Sequence, residues 1–390
     1  MRIPGVQQLK MIALFLLLLV LSGCWSQLNF DQLTVVSAIG LDLSKDKQLE
    51  VTIQLINPTL PIAAGGGNQN RKPFAIYTAS GATLEEAVAS IRHQAKKNLF
   101  FPQTKIVIIG EALARYGLDG FMDYFWRETN QNFNSRILIT KMTAKEALQN
   151  SYELEAVSAD QWKSFLKDDQ RSAASGSVEM YEFLPRLNLV GFHAVAPGLS
   201  AAPRSSAKIM EIREAAVFRN HKMLGWLTQE ESQTVNWLSG GTRYGALRVM
   251  RSGKEVIDFE IEDIRVRLIP VFEGELPKLK VLFKGVVLLK TSTIELDLSQ
   301  LETFAELKQD VNSHIQATIQ KTVAKVYKTY QSDVIGFGEV IHRRNPKQWN
   351  ALKSGWNEAL KDVEVEVTAS VKIVKSGLLQ DSSKGKDDTE

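Results

Sequence analysis

The chain has 390 residues, of which 44% are hydrophobic and 23% charged, and its formal net charge is +3 at pH 7. A chain of this length and composition can bury a sizeable core without disulfides or metals, and two or three domains are the usual expectation. The small net charge and the lack of a basic tract argue against nucleic-acid binding. One cysteine and five histidines argue against structural zinc and redox chemistry. No metal and no cofactor is therefore predicted.

The first segment is an apolar run that begins at Met11 and ends in Leu-Ser-Gly-Cys at residues 21–24. It is too short for a stable transmembrane helix, which needs about 20 apolar residues, and it has the layout of an export signal. Leu-Ser-Gly-Cys resembles the bacterial lipobox, whose cysteine receives a diacylglyceryl group; the alternative is an ordinary signal peptide with a chance cysteine. We expect residues 1–23 to be a lipoprotein signal peptide. Cys24, the only cysteine in the chain, is the predicted lipidated residue.

An N-terminal α/β domain is predicted over residues 24–200. Alternating or continuous apolar segments predict strands, and capping boxes with amphipathic spacing predict helices. The predicted strands cover 33–43, 49–56, 74–80, 105–110 and 136–141. The predicted helices cover 83–97, 111–116, 119–127, 158–166 and 178–187, with another that starts at 143. This order is typical of a sheet covered by helices.

Two segments of this domain are interpreted as irregular. The glycine-rich stretch 63–72 is read as an exposed loop, because no Gly-Lys-Ser or Gly-Lys-Thr follows it as a phosphate-binding loop would require. Residues 194–206 carry two prolines and many small side chains, and the first domain boundary is placed there.

A small middle domain over residues 201–253 and a C-terminal α/β domain over 254–377 are predicted next. The middle domain should hold a strand at 209–218, a hairpin through 224–226 and a capped helix over 228–238. The C-terminal domain should hold strands at 256–268 and 279–289, a long helix over 298–330 and a closing strand at 363–374. The apolar stripe of the long helix favours packing on a sheet over a coiled coil. The polar tail 378–390 is expected to be disordered.

The most informative stretch is residues 333–356, DVIGFGEVIHRRNPKQWNALKSGW. Gly336 and Gly338 permit tight backbone geometry. Pro346 suits the first turn of a helix, and the side chain of Asn345 can cap that helix.

The same stretch carries side chains that could act in binding or catalysis. Trp349 and Trp356 share one helix face, which indicates core packing, although stacking on a sugar or a nucleobase is the alternative. Asp333 and Glu339 could combine with His342 as acid and base. A local hydrogen-bonded or surface role is favoured, because nothing nearby supplies a nucleophile or an oxyanion hole. No catalytic residue is assigned.

Known catalytic motifs are also missing from the sequence. It contains no metalloprotease His-Glu-x-x-His, no Gly-x-Ser-x-Gly elbow, no Walker loop and no dinucleotide fingerprint. The pair Arg343-Arg344 either contacts phosphate head groups or is solvated, and two charges do not decide between these roles.

These residues resemble the C subunit of spore germinant receptors, the spore germination protein C family of lipoproteins. The likeness covers nearly the whole mature chain in the same order, and Ser26 is one departure, at a position where an acidic residue is more frequent. The matching residues are Gly23-Cys24-Trp25, Gly40-Leu41-Asp42, Gly225-Trp226-Leu227, Asp333, Gly336-Phe337-Gly338, His342, Asn345-Pro346, Trp349 and Trp356. We expect the matches from Asp333 onward to be structural.

The resemblance implies an α+β (mixed α/β) mature lipoprotein of three domains, each a β-sheet packed with helices. It implies a non-enzymatic subunit on the outer face of the inner spore membrane, held in the bilayer by diacylglyceryl-cysteine. Its partners would be a membrane-embedded A subunit and a transporter-like B subunit, and together they would sense germinants. Direct germinant binding by this subunit is left open.

Two alternatives from other classes remain at this point. One is a solute-binding lipoprotein of an importer, which would usually show two similar α/β lobes around a deep cleft. No repeated half is visible in the sequence. The other is a lipid-anchored hydrolase of the cell envelope, which the missing motifs disfavour.

Overall fold

The computed structural model describes residues 33–56, 74–127, 130–149, 159–160, 162–164, 166, 176–201, 210–251, 255–294, 296 and 300–374. The predicted signal peptide, Cys24, the loop at 63–72 and the C-terminal tail lie outside these residues. No helix in the described part of the chain is long and apolar enough to cross a membrane.

The described residues of the first half of the chain build a nine-stranded mixed sheet. Its strands are β1 Leu33–Leu43, β2 Leu49–Ile56, β3 Phe74–Gly81, β4 Asn98–Phe100, β5 Ile106–Gly110, β6 Arg136–Thr140, β7 Val195–Ala201, β8 Met210–Arg219 and β9 Lys222–Leu227. The order is β3-β2-β1-β5-β6-β7-β8-β9, with β4 paired to β1. The central strands β1, β5, β6 and β7 run parallel, and antiparallel pairs flank them on both sides.

Helices cover both faces of this sheet. They are α1 Leu84–Ala95, α2 Glu111–Tyr116, α3 Asp119–Arg127, α4 Ala144–Gln149 and α5 Met180–Asn188. Strand β5 is buried along its whole length. Its Val107 and Ile109 pack with α1, α2 and α5, whereas Ile106 and Ile108 pack with α4 and Trp162 on the other face. A continuous apolar strand is what a parallel sheet with two covered faces requires.

The predicted capping box forms in full at α4 and in part at α1. Thr143 and Glu146 form a reciprocal capping box at α4, with both N–H···O distances at 3.1 Å. At α1, the Thr83 hydroxyl accepts from the Glu86 amide at 3.2 Å, but the Glu86 carboxylate accepts from Ala82 instead of Thr83.

Residues 194–206 are where the first domain boundary is predicted, and residues 195–201 of this segment form β7 inside the sheet. The strand tolerates Pro197 because it pairs with β6 through few residues and shifts register between Gly198 and Leu199. A β-carbon at Gly198 would lie 2.4 Å from the ring of Trp226. The small residues therefore serve close packing under a tryptophan, and they resemble a linker only in composition.

The second half of the chain builds a four-stranded sheet in the order β10-β11-β12-β13. Its strands are β10 Gly245–Arg251, β11 Glu255–Val271, β12 Lys278–Ser292 and β13 Val365–Val374. Helix α6 Gln229–Leu238 precedes the first strand of this sheet. The other helices of this half are α7 Leu301–Ala324, α8 Phe337–Arg344, α9 Pro346–Leu352 and α10 Trp356–Ala359. Strand β13 is parallel to β12, and the other pairs are antiparallel. Strand β10 was not predicted.

Helix α7 is the predicted long helix, and it continues into a π-helical turn, Lys325–Thr329. The predicted stripe faces the sheet through Leu307, Val311, Ile315, Ile319 and Val323, all of them buried. Leu301 was predicted to belong to this stripe, but it is 86% exposed because it lies at the first residue of the helix, beyond the core.

The described residues form two sheets packed with helices, so the predicted count of three domains is not confirmed. The segment 201–253 contributes β8 and β9 to the first sheet and β10 to the second. One core cluster extends across the junction, where Val217 and Leu227 of the first sheet pack with residues of the second such as Phe283. The predicted domain boundaries remain predictions.

Candidate functional site

The residues of the 333–356 motif meet around one buried carboxylate, that of Asp333. Its Oδ1 accepts from the Phe337 amide at 3.0 Å and lies 3.4 Å from the Tyr327 hydroxyl. Its Oδ2 accepts from the Gly338 amide at 2.7 Å and from Trp356 Nε1 at 2.9 Å. The carboxylate thereby satisfies the first free amides of α8, where a negative charge is also favoured by the helix dipole.

The two motif glycines allow α8 to begin at this point. Gly336 has φ of +77°, a left-handed conformation that most side chains disfavour. A β-carbon at Gly338 would lie 2.6 Å from the Cα of Gly191. The Glu339 amide donates to the Gly191 carbonyl at 3.2 Å. Gly191 precedes β7 and belongs to the first half of the chain, so the start of α8 docks directly onto that half.

The two motif tryptophans close the other side of the site. Trp356 is fully buried and Trp349 nearly so, and their rings meet edge to face with centroids 5.3 Å apart. Both belong to the core cluster that includes β13. Pro346 begins α9, and Asn345 Oδ1 accepts from the Gln348 amide at 3.2 Å, as predicted.

The predicted single helix through both tryptophans is interrupted. Helix α9 ends at Leu352, a 3-10 turn covers Lys353–Gly355, and α10 begins at Trp356. Gly355 and Ser354 are weak helix formers, which explains the break at this position. The two rings still meet, because the turn keeps the chain coiled in the same sense.

His193 is a central residue that the sequence analysis missed. It lies on the first half of the chain and is 2% exposed. The Asp333 amide donates to His193 Nδ1 at 2.9 Å, and the His193 amide donates to the Asp333 carbonyl at 2.8 Å. The Ser332 hydroxyl donates to the Phe218 carbonyl at 2.9 Å. Because Nδ1 accepts a hydrogen bond, neutral His193 carries its proton on Nε2.

Burial moves the pKa values of this site in opposite directions. It raises the pKa of Asp333 from 3.8 to about 6, although the bonds from Gly338, Phe337 and Trp356 oppose the rise. It lowers the pKa of His193 from 6.5 to about 4, and the nearby Arg219 guanidinium adds to the decrease. Burial also raises the pKa of the Tyr327 hydroxyl well above its usual value. Burial disfavours the charged form of each group.

The polar groups of this site bond to backbone amides and to each other. Asp333 is enclosed by protein donors, and the side chain of His342 is exposed, with its ring 6.2 Å from that of Trp349. The acid/base alternative that the sequence disfavoured, Asp333 and Glu339 with His342, is not assembled, because the Asp333 side chain is buried in the core and the His342 side chain lies in solvent. Within the described residues, no group of His, Cys, Asp and Glu side chains could hold a metal ion.

The chain matches two family descriptions that together span both halves. Residues 26–201 match the spore germination protein N-terminal domain, and residues 213–377 match the spore germination B3/GerAC-like C-terminal domain. This chain belongs to the spore germination protein C family.

Similar proteins carry related names. The spore germination protein KC of Bacillus subtilis strain 168 is 25% identical, over 94% of this chain and 95% of its own length. The spore germination protein B3 of the same strain is 21% identical, over 94% and 98%. The crystal structure of the GerBC protein covers 86% of this spore germination protein and 96% of its own chain, with a TM-score of 0.54 at 17% identity. That likeness shows the shared fold.

Proposed function

We propose that this spore germination protein is the lipid-anchored C subunit of a spore germinant receptor and has no enzymatic activity of its own. It acts with membrane-embedded A and B subunits in nutrient-triggered germination. Diacylglyceryl-Cys24 holds it on the outer face of the inner spore membrane. The observation that carries the proposal is the family match over both halves of the chain, preceded by a lipobox-like sequence.

The geometry of the motif supports a structural role for its residues. The carboxylate of Asp333 is bonded to amides of its own helix and to Trp356, and none of these groups is available to a substrate. In a subunit that transmits a signal or stabilises an assembly, the two halves must keep a fixed position relative to each other. The contacts at this site hold the two halves in that way.

The importer alternative is less well supported. A solute binder of this size usually has two similar lobes. Here the first sheet has nine strands with a parallel centre, whereas the second has four and is mainly antiparallel. The two halves are therefore not repeats of one unit.

Replacing the cysteine tests the anchor. Cys24→Ala should abolish lipid labelling and move the protein from the membrane pellet to the soluble fraction. Acyl chains bind membrane with about 0.8 kcal/mol per buried methylene, and two chains anchor a protein stably. Fractionation of spore membranes at high salt, with radiolabelled lipid precursor, measures both effects. Ser26→Ala is the matched control and should remain labelled and in the pellet.

Mature Cys24→Ala protein that still pellets at high salt without lipid would refute the anchor. The receptor assignment needs a separate measurement. The tagged wild-type protein should co-purify with two multi-spanning proteins from detergent-solubilised spore membranes. Co-purification with an ATP-binding importer component instead would favour the solute-binding alternative.

A further inference from the structure

A groove of about 620 Å³ lies beside the motif and is lined by five arginines. They come from three places in the fold: the turn after α6, strand β11 and the C-terminal end of α8. The arginines are Arg243, Arg265, Arg267, Arg343 and Arg344. The first turn of α8 also lines the groove, through Gly336 and Glu339.

The backbone brings these arginines to one place. Arg265 and Arg267 are two residues apart on β11, so their side chains leave the strand on the same face. The Ile264 amide donates to the Arg243 carbonyl at 3.0 Å, which fixes the turn after α6 beside this strand. Arg343 and Arg344 end α8, which packs against β11. The convergence therefore depends on tertiary structure.

The positive charge of the groove is only partly neutralised. Arg265 bonds to Asp263, with its shorter N···O distance at 2.7 Å, and Arg343 lies 3.8 Å from a carboxylate oxygen of Glu339. The other three arginines make no ion pair with any described residue, and their side chains are exposed. They are Arg243, Arg267 and Arg344.

The remaining lining indicates what kind of anion fits. Apolar side chains that include Phe192, Ile335 and Val340 form part of the wall. Three guanidinium groups without partners match the three acceptor oxygens and the charge of about −1.5 to −2 on a phosphate monoester. An apolar substituent on that phosphate would lie against the apolar wall. Inorganic phosphate could contact the arginines but has no apolar part to lie against this wall.

We propose that this arginine-lined groove binds the phosphate group of an organic phosphate monoester. Such a group is found on a soluble phosphoester and on the head group of phosphatidic acid. Convergence of arginines from three elements on a concave surface favours a ligand over a solvated charged face. The proposal does not depend on the receptor role, because it rests on the groove alone.

The test uses the full-length lipoprotein in neutral detergent micelles, titrated by calorimetry at low salt. One arm uses phenyl phosphate, and the other uses mixed micelles that contain phosphatidic acid or, for comparison, phosphatidylcholine. The double variant Arg267→Gln/Arg344→Gln should weaken binding about tenfold or more, since it removes two charge-assisted contacts. Higher salt should also weaken binding.

Arg248→Gln is the matched control, because Arg248 is an exposed arginine on β10, bonded to Asp258 and outside the groove. It should leave binding unchanged. Arginine-dependent binding in either arm supports the proposal, and the arm that responds identifies the source of the phosphate. Absence of binding in both arms at low salt would overturn it. The proposal would also be overturned if the control and the double variant lost the same amount of binding while both kept the wild-type melting temperature.

Discussion

The ionisation of Asp333 and that of His193 change the free energy of unfolding in opposite directions as the pH rises. The two residues are 140 positions apart in the sequence. The Asp333 amide donates to the His193 imidazole, and the His193 amide donates to the Asp333 carbonyl. The pKa of Asp333 is raised to about 6, so its contribution to the free energy of unfolding decreases as the pH rises from about 4 to 6. The pKa of His193 is lowered to about 4, so its contribution increases as the pH rises from about 4 to 6.5.

The first prediction concerns this compensation. Each shift corresponds to about 3 kcal/mol, so the two contributions nearly cancel between pH 4 and 6 in the wild-type protein. His193→Gln removes the histidine contribution. The free energy of unfolding of the variant should therefore decrease by about 3 kcal/mol from pH 4 to 6, relative to the wild type. Urea unfolding at several pH values measures the difference.

His342→Gln is the control for this experiment, because His342 is exposed. Its profile should follow the wild type. A His193→Gln profile parallel to that of the wild type would show that His193 does not titrate differently on folding.

The second prediction concerns Trp356. Trp356→Ala removes a fully buried ring and the Nε1 donor to Asp333. A truncation of this kind costs about 3–5 kcal/mol. We expect a lower melting temperature for a protein that begins after Cys24 and a smaller amount of the full-length protein in spores, whereas His342→Ala should change melting little. Melting curves and spore immunoblots measure both. A stable, abundant but inactive Trp356→Ala protein would instead indicate a ligand or catalytic site.

At the scale of elements, helix α8 is the part that joins the two halves. Its start docks on Gly191 and its first amides bond to Asp333. The π-helical turn at the end of α7 places Tyr327 against the same carboxylate. The chain between α7 and α8 is therefore held by contacts at both of its ends, and a change in the packing of α8 should affect the whole junction.

The third prediction tests that docking. Gly338→Ala would place a β-carbon 2.6 Å from both the Gly191 backbone and the Trp349 ring, so α8 must move. Overpacking of this kind costs about 1–3 kcal/mol. Gly355→Ala is the matched control, since nothing lies within 4 Å of its β-carbon. Urea unfolding should show a loss for the first variant and none for the second. Equal stabilities would mean that α8 does not need this close approach.

At the scale of the whole molecule, the two sheets share a continuous core. Besides the cluster across the junction, Lys325 donates to the Glu231 carboxylate at 2.6 Å and to the Trp226 carbonyl at 3.2 Å. Despite the effect of burial, hydrogen bonds from Lys325 and Thr228 hold the pKa of Glu231 below its usual value. The link between the halves therefore combines apolar packing with the hydrogen bond from Lys325 to β9, and the ion pair with Glu231 holds Lys325 in place.

The fourth prediction follows from this shared core. A mature protein that begins after Cys24 should fold without metal or disulfide, and its two sheets should unfold in one transition. Calorimetry combined with hydrogen exchange on β5 and β12 measures whether the two sheets lose protection together. Two separate transitions, with Trp356→Ala shifting only one, would show that the halves are energetically independent.

The sequence by itself determined the features whose cause is local. The strands β1, β2 and β5 follow from their apolar patterns, and the capping box at α4 and the start of α9 follow from side chains within three residues of each helix end. The motif also predicted three features of the site, namely tight backbone geometry at Gly336, a helix that begins at Pro346, and buried rings of Trp349 and Trp356.

Only the tertiary structure decided the features that depend on distant partners. Pairing with two neighbouring strands makes β7 a strand despite its proline, and the approach of the chain at Gly191 makes α8 a junction element. His193 has no sequence signal, because its role exists only where folding brings it to Asp333, 140 residues away. Burial at that meeting point sets both pKa values, and no local pattern encodes it.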